Sequence, residues 1–321
     1  MSLLNIQGLI KYHRVSGGVF SARSEKIHAV DGIFLTVEKG ETLGLVGESG
    51  CGKSTLARLI LRLEDPDDGR IIFNGRDITG LGKKMHDIRR RMQMIFQDTH
   101  ASLNPRMTVG AIIGEPLVNY RVGMRREQKE KVLELLQTVG LNPEHAARYP
   151  HEFSGGQRQR IGIARALALQ PDLVVCDEPV SSLDVSVRAQ ILNLLLQLKK
   201  QLGLAYLFIS HDLTIVSCIS DRVAIMYLGK IVEVLPGGDL VAKARHPYTR
   251  ALLAAVPVYH PRLRDGKELL VEGEPPDPAS PPAGCRFHPR CPKAREKCRV
   301  LEPLLEPISA EHQVACHWAG V

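Results

Sequence analysis

A glycine-rich segment at residues 43–55, LGLVGESGCGKST, has the residue types and spacing of a phosphate-binding loop. The sequence predicts an apolar strand before it and a helix after it. Backbone N–H groups of such a loop converge on phosphate oxygens, and the positive end of the helix favours anions. We predict that Lys53 neutralises the β- and γ-phosphates and that the Ser54 hydroxyl binds Mg²⁺. The expected nucleotide-binding residues are Gly47, Glu48, Ser49, Gly50, Cys51, Gly52, Lys53, Ser54 and Thr55.

The segment LVVCDE at residues 173–178 predicts a buried strand that ends in two carboxylates. Asp177 is placed to hold Mg²⁺, and Glu178 is placed to orient or deprotonate an attacking water. Adjacent residues of a strand point in different directions, so the two carboxylates have different roles. Together with the glycine-rich loop, this segment predicts a nucleoside triphosphatase.

Further motifs follow in a fixed order: MIFQD, then FSGGQRQRIGIARAL, then SLD after Glu178, then FISHD. In that order they resemble the motifs of ATP-binding cassette (ABC) proteins. The resemblance implies an α/β fold of the P-loop, RecA-like type, with an antiparallel β subdomain and a helical subdomain. The residues that carry it are Gln97, Ser154, Gly155, Gly156, Gln157, Ser182, Leu183, Asp184 and His211.

The same resemblance implies how these residues act. Two cassettes would dimerise head to tail, so that the signature at residues 154–157 of one contacts the ATP held by the other. Gln97 would contact Mg²⁺ or the attacking water, and His211 would contact the γ-phosphate and hold Glu178. The segment at residues 182–184 would cross the dimer interface. Catalysis is thus assigned to Glu178, His211 and Gln97, and Mg²⁺ to Ser54, Gln97 and Asp177.

Adenine requires a flat surface upstream of the phosphate-binding loop, and two neighbouring aromatic rings are candidates. Tyr12 and His13 are adjacent on a predicted strand and would face opposite ways, so only one of them can stack on the base. A phenol ring offers the better stacking face, which favours Tyr12. A surface tyrosine without a ligand is the alternative.

The remaining pattern predicts strands that alternate with helices, which is typical of a parallel sheet. Apolar spacing predicts helices at residues 125–141 and 185–203, and Asn74–Gly75 predicts a hairpin turn.

The chain has 321 residues and a net charge of +7. No apolar run reaches the roughly 18–20 residues of a membrane span. Aromatic residues make up 5% of the chain and no basic run is interleaved with them, so we expect no nucleic-acid partner.

Longer strings resemble the ATPase subunits of bacterial oligopeptide and dipeptide importers. They include ASLNPRMTVG, CDEPVSSLDVSVRAQILNLL, HPYTRALLAAVP and EGEPPDPASPPAGCRFHPRCP. The resemblance implies ATP hydrolysis coupled to peptide import, at the cytoplasmic side of the inner membrane. The implied partners are a second, paralogous ATPase, two integral membrane subunits and an extracytoplasmic solute-binding protein. Import of a nickel chelate, glutathione or a sugar is an alternative, as is an ABC ATPase without a transport role.

Composition changes near residue 260, since ten of the twenty prolines lie in residues 261–321. We therefore expect an ATP-binding domain at residues 1–258, with its helical subdomain at about 98–168, and a C-terminal region at residues 259–321. Nothing in the sequence indicates that this region affects the nucleotide site. Its cysteines are Cys285, Cys291, Cys298 and Cys316.

In the importer subunits that the chain resembles, four such cysteines hold a [4Fe–4S] cluster, which we therefore expect here. Their chemistry also fits tetrahedral zinc, and free thiols are the third interpretation.

The helical subdomain of the resembled family docks on membrane subunits. Its apolar residues here serve either docking or the core, and they are Met107, Val109, Ile112 and Ile113.

Overall fold

The computed structural model describes residues 2–16, 24–98, 102–255 and 273–319. The chain divides into two compact units. The first unit combines the segments Met1–Val37, Thr42–Thr79 and Ser210–Val321. The second unit combines Glu38–Glu41 with Gly80–Ile209, so the chain leaves the first unit and returns to it.

An antiparallel sheet forms one part of the first unit. Its strands are β1 (Leu4–Ser16), β2 (Ser24–Val37), β4 (Asp68–Phe73) and β5 (Arg76–Asp77), in the order β2-β1-β4-β5. The hairpin between β4 and β5 turns at Asn74 and Gly75, whose φ angles are 51° and 77°. Positive φ at both turn residues matches the right-handed twist of the strands, so the predicted hairpin is confirmed.

The other strands of the first unit carry the phosphate-binding loop. Strand β3 (Thr42–Val46) is fully buried and pairs in parallel with β9 (Arg222–Tyr227). Antiparallel strands extend this sheet beyond β9: β10 (Lys230–Pro236), β12 (His312–Val314) and β11 (Glu306–Ser309). The helices of this unit are α1 (Lys53–Ile60), α7 (Leu213–Ile219), α8 (Leu240–Lys243), α9 (Pro247–Ala254) and α10 (Glu296–Val300).

Among its described residues, the second unit contains three parallel strands, β6 (Met92–Ile95), β7 (Leu173–Asp177) and β8 (Ala205–Ser210), with β7 in the middle. Helix α6 (Val185–Leu202) ends at Gly203, whose φ of 66° suits a glycine C-cap, as predicted. Within the described ranges, we find no helix with the length and apolar character that crossing a bilayer requires. The helices are α2 (Met85–Arg91), α3 (Val109–Asn119), α4 (Arg125–Thr138), α5 (Gly155–Leu167) and α6 (Val185–Leu202).

The core of the second unit decides the role of three apolar residues on α3. Val109, Ile112 and Ile113 are at most 1% exposed, so they pack inside the unit and are not available for docking. Met107 is half-buried, and Val118 on the same helix is 60% exposed. Apolar spacing alone does not separate a core face from a docking face, because both select the same side chains.

A buried carboxylate joins the C-terminal region to other parts of the first unit. Glu233 on β10 accepts hydrogen bonds from the backbone N–H groups of Arg245 (2.7 Å) and His246 (3.2 Å). It also pairs with Nε2 of His312 on β12 at 2.8 Å. Glu233 therefore holds strand β10, the start of α9 and the C-terminal hairpin together. The domain boundary expected at residue 259 lies outside the described residues.

His246 should make the stability of the protein depend on pH. Its imidazole is 1% exposed, and its Nδ1 accepts a hydrogen bond from the backbone N–H of Tyr248. Burial lowers the pKa of His246 from 6.5 to about 3. Below pH 6.5 the unfolded chain therefore binds a proton that the folded chain does not, and stability falls until about pH 3. Between pH 7.5 and pH 5, this proton uptake lowers the free energy of unfolding by about 2 kcal/mol.

Denaturant unfolding at pH 7.5 and pH 5 tests this expectation. The variant His246→Asn keeps a side-chain acceptor for the Tyr248 N–H but has no group that titrates in this range. It should lose about 2 kcal/mol less stability than the parent between the two pH values. An equal loss in parent and variant would mean that His246 is not the group responsible.

Candidate active site

Two glycines of the phosphate-binding loop have backbone conformations that disfavour other residues. Gly50 and Gly52 have φ angles of 80° and 110°. A Cβ atom at Gly52 would lie 1.9 Å from the carbonyl oxygen of Ala29. The loop therefore runs close against strand β2 and turns directly into α1, whose first residue is Lys53. This is the strand, loop and helix arrangement that the sequence predicts.

Lys53 is held inside the loop. Its side chain is buried, and its ammonium donates hydrogen bonds to the carbonyl oxygens of Gly47 (2.8 Å) and Glu48 (2.9 Å). The Sγ atom of Cys51 lies 3.7 Å from the same Nζ. The ammonium is therefore fixed among backbone atoms of the loop.

Tyr12 lies on β1, and its phenol is tied to an acidic residue. The hydroxyl donates to Oδ1 of Asp31 at 2.7 Å, and the ring packs at 4.2 Å from that of His28. Burial and the hydrogen bond to Asp31 raise the pKa of Tyr12 to about 12, so the phenol stays neutral. His13 instead contacts Glu64 at 3.4 Å. Stacking of adenine on Tyr12 stays a prediction.

In the second unit, strand β7 delivers the two predicted carboxylates. Asp177 is its last residue and is buried. Glu178 follows with a φ of 46°, an unfavourable value for a residue with a side chain. Its N–H donates to the carbonyl oxygen of Ile209 at 3.0 Å, and its C=O accepts from Oγ of Ser181 at 3.1 Å. These two bonds hold the strained backbone of Glu178 in place.

The structure brings Gln97 and Glu178 together. Nε2 of Gln97 donates to Oε2 of Glu178 at 3.0 Å, although the two residues are 81 positions apart in the chain. Gln97 follows β6 and Glu178 follows β7, and these strands are parallel neighbours. Their carboxyl ends therefore lie at the same edge of the sheet, which explains the contact.

The signature segment begins helix α5. Oγ of Ser154 accepts from the N–H of Gln157 at 3.3 Å, and Oε1 of Gln157 accepts from the N–H of Ser154 at 3.0 Å. This reciprocal capping box fixes the start of the helix. A Cβ atom at Gly156 would lie 2.4 Å from Cγ1 of Val187 on α6, so the helices meet too closely there for any larger residue. A Cβ atom at Gly155 would lie 3.5 Å from Cδ2 of Leu183, which is an ordinary van der Waals distance.

His211 lies in the first unit, in the turn between β8 and α7. The residue after it, Asp212, caps α7 by accepting from the N–H groups of Thr214 (2.9 Å) and Ile215 (3.2 Å). The helix start therefore depends on the aspartate rather than on the histidine. This leaves the predicted role of the imidazole at the γ-phosphate untested.

Three residues that contact the site were missed in the sequence. Ser181 holds the backbone of Glu178, as described above. Arg290 binds the Glu48 carboxylate with both terminal nitrogens, and the hydroxyl of Tyr248 accepts from the N–H of Glu48. Ser181 lies between Glu178 and the segment at residues 182–184, so its position in the sequence could have indicated a role at the site. Arg290 and Tyr248 are more than 190 residues from the loop, and no local pattern marks them.

The four cysteines of the C-terminal region correct one prediction. They lie together around a small pocket that Phe287 and Trp318 also line. Burial raises the pKa of Cys285 to about 11 and raises those of Cys291 and Cys316, so these three side chains are protonated at neutral pH. Across residues 2–16, 24–98, 102–255 and 273–319, no group of three or more His, Cys, Asp or Glu side chains could hold a metal ion. The predicted [4Fe–4S] cluster is therefore wrong, and the zinc alternative has no support either.

Comparison with known proteins identifies the class. The ABC transporter family matches residues 30–181, and the oligopeptide/dipeptide transporter C-terminal region matches residues 232–298. Among solved structures, a dimeric ATP-binding cassette, MJ0796, in a post-hydrolysis state with ADP and phosphate has a TM-score of 0.65 at 28% identity. The match covers 73% of this chain and 98% of that one. CbiO1 of Clostridium perfringens has a TM-score of 0.65 at 27% identity, over 75% and 91% of the two chains. The fold and motifs define an ABC-type ATPase.

Curated relatives extend the match over nearly the whole chain. A probable peptide ABC transporter ATP-binding protein of Sinorhizobium fredii is 54% identical, over 98% of this chain and 90% of its own length. The oligopeptide transport ATP-binding protein AppF of Bacillus subtilis is 50% identical, over 98% and 97%. The dipeptide transport ATP-binding protein DppF of Haemophilus influenzae is 49% identical, over 98% and 96%. The chain belongs to the family of ABC transporter ATP-binding proteins.

Proposed function

We propose that this protein is the ATP-hydrolysing, energy-coupling subunit of an ABC importer for peptides. One observation carries the choice of solute class. The match to the oligopeptide/dipeptide transporter C-terminal region, at residues 232–298, accompanies the complete set of ATPase motifs in one chain. Relatives of about 50% identity over nearly their full length have names that include peptide, oligopeptide or dipeptide transport.

ATP binding falls to the residues of the phosphate-binding loop. Lys53 is fixed beside the loop carbonyl groups, and it moves to the phosphate oxygens when they replace these weaker acceptors. The backbone N–H groups of the loop and the first turn of α1 bind the remaining oxygens. Tyr12 provides the flat surface for adenine.

The oxygen atoms available for a metal fit Mg²⁺. Ser54 has a hydroxyl, Asp177 a carboxylate and Gln97 an amide oxygen, which are the hard ligands that Mg²⁺ prefers. Bound Mg²⁺ would neutralise charge on the phosphates. On the protein's side, the buried position of Asp177 at the end of β7 keeps its carboxylate in place.

Hydrolysis requires a base beside the attacking water, and Glu178 takes that role. The hydrogen bond from Gln97 orients its carboxylate, and the bonds to its backbone from Ser181 and to Ile209 restrict its movement. The carboxylate accepts a proton from the water as the water oxygen attacks the γ-phosphorus. The bond between the γ-phosphorus and the bridging oxygen breaks, and ADP leaves. His211 contacts the γ-phosphate and holds Glu178 in position. The signature at residues 154–157 donates hydrogen bonds to the ATP that a second cassette binds.

The proposed partners follow from the same assignment. A second ATPase, paralogous to this chain, completes the composite site through its own signature and through the segment equivalent to residues 182–184. Two integral membrane subunits dock on the helical subdomain at residues 98–168, and a solute-binding protein delivers the peptide outside the membrane. This chain then lies at the cytoplasmic face of the inner membrane, with an ATP-binding domain at residues 1–258 and a C-terminal region at residues 259–321.

Co-expression with the neighbouring genes tests the proposal. An affinity-tagged chain should co-purify, in mild detergent, with two integral membrane subunits and a second ATPase. In proteoliposomes, ATP hydrolysis by this complex should rise when a peptide-loaded binding protein is added outside. Stimulation by a nickel chelate, glutathione or a sugar instead of a peptide would overturn the solute class. If the tagged chain purifies from the co-expressing cells without the membrane subunits, the transport role is overturned.

A further inference from the structure

Glu48, the second residue of the phosphate-binding loop, is bonded at three different points. Its N–H donates to the hydroxyl of Tyr248 at 2.9 Å, and its C=O accepts from Lys53 at 2.9 Å. Its carboxylate accepts from Nη1 and Nη2 of Arg290 at 2.9 and 3.0 Å. Two of these three partners lie outside the ATPase motifs, at positions 200 and 242 residues further along the chain.

Arg290 is a well-anchored partner for Glu48. Its side chain is only 9% exposed, and its guanidinium lies 5.9 Å from the ring centre of Tyr227. Burial works to lower the pKa of Arg290, but the hydrogen bonds to Glu48 and Tyr227 outweigh it and raise the pKa, so the charge is retained. A bidentate guanidinium–carboxylate pair fixes direction as well as distance. Arg290 therefore determines where the Glu48 side chain lies.

Tyr248 is anchored equally well. It is 1% exposed, and its N–H is bound by the capping imidazole of His246 at the start of α9. Its ring packs 4.6 Å from that of Tyr227 and 5.4 Å from that of Phe287 in the C-terminal region. This aromatic cluster, Tyr227, Tyr248 and Phe287, ties strand β9, helix α9 and the C-terminal region into one packed group behind the loop.

We propose that Arg290 of the C-terminal region, together with Tyr248 of α9, holds the phosphate-binding loop in its ATP-binding conformation. Both are positioning residues, since they act on the nucleotide through Glu48. A loop that is held in place before binding loses less conformational entropy when ATP arrives, which raises affinity. The coupling is reciprocal, so bound ATP should stabilise residues 273–319 in return. The proposal depends on ATP binding and not on the solute that is transported.

Calorimetric titration of the full chain with ATP–Mg²⁺ tests the role of Arg290. The variant Arg290→Met keeps an aliphatic side chain that can pack against Tyr227 but lacks the guanidinium group that binds Glu48. We expect its Kd for ATP to rise about tenfold, which corresponds to about 1.4 kcal/mol. Arg295→Met is the matched control. Arg295 belongs to the same region, and its guanidinium lies 4.1 Å from the ring centre of Trp318. Its removal should change the Kd less than about twofold.

A double-variant cycle separates positioning from general loosening. If Arg290 acts through Glu48, then Glu48→Gln combined with Arg290→Met should weaken ATP binding no more than Arg290→Met alone. If Arg290→Met fails to fold, Tyr248→Phe replaces it, because this change removes only the hydroxyl that accepts from the loop. We expect Tyr248→Phe to weaken ATP binding about threefold, which corresponds to the loss of one modest hydrogen bond.

The outcomes distinguish this proposal from the assignment of the site. If Arg290→Met and Tyr248→Phe bind ATP as the parent does while Lys53→Ala does not, the coupling is wrong and the nucleotide site stands. Equal losses in Arg290→Met and Arg295→Met would also overturn the coupling, because they would reflect general loosening of the region. If the parent itself does not bind ATP–Mg²⁺, the site assignment is wrong and the coupling falls with it.

Discussion

Replacing Glu178 with glutamine lowers the ATP turnover of the assembled transporter at least about a hundredfold, because the amide cannot accept a proton from the attacking water. ATP affinity should stay within about twofold of the parent, since the loop and its lysine are unchanged. The amide oxygen can still accept the hydrogen bond that Gln97 donates to the carboxylate at 3.0 Å. The variant thus removes basicity and preserves shape. Turnover is measured by phosphate release, and affinity by titration with ATP–Mg²⁺.

Glu130→Gln serves as the matched control for this prediction. Glu130 lies on α4 in the same unit, where its side chain is 62% exposed and pairs with Arg126 on the surface. The same change of chemistry there should leave turnover unaltered, because exposed pairs contribute little. If Glu178→Gln hydrolyses ATP at close to the parental rate, another group is the base.

Replacing Lys53 with alanine should raise the Kd for ATP by about tenfold to a hundredfold. Hydrogen bonds between charged groups contribute about 1.5–3 kcal/mol, and Lys53 supplies such bonds to the phosphates. The lysine also bonds to two carbonyl groups of the loop, at 2.8 and 2.9 Å, so its loss loosens the loop that ATP must enter. The measurement is direct titration of the purified chain with ATP–Mg²⁺.

Lys243→Ala is the comparison for this effect. Lys243 lies in the first unit as well, but it is 63% exposed and pairs with Asp239 four residues earlier. Its removal should not change ATP affinity. Unaltered affinity in Lys53→Ala would contradict the assignment of residues 47–55 as the phosphate-binding loop.

The nucleotide motifs are legible in the sequence because each of them is local. The spacing of residues 47–54 specifies a turn that only glycines can form, and the structure has φ angles of 80° and 110° at Gly50 and Gly52. The hairpin at Asn74–Gly75 and the helix end at Gly203 follow the same rule, since backbone conformation limits the residue types at these positions. Such features need no knowledge of the rest of the chain.

The cysteine pattern shows how spacing can mislead. Four cysteines within 32 residues fit several ligand sets, and only three-dimensional arrangement and protonation decide among them. In the structure the four cysteines line one pocket, where Cys298 is buried and the other three are half-buried. Nε1 of Trp318 donates to Sγ of Cys298 at 3.4 Å. The likeness to importer subunits was correct for the fold and the ATPase, yet it did not carry over to this cofactor.

By itself, the sequence determined the class of fold, the ATPase chemistry and the identity of the motif residues. Each of these depends on short patterns that recur wherever the same ligand is bound. Tertiary structure alone decided which distant residues support the motifs. Gln97 meets Glu178 because two parallel strands end at one edge, and Arg290 meets Glu48 because the C-terminal region packs behind the loop. Contacts between residues 81 and 242 positions apart arise from chain topology, which no local spacing encodes.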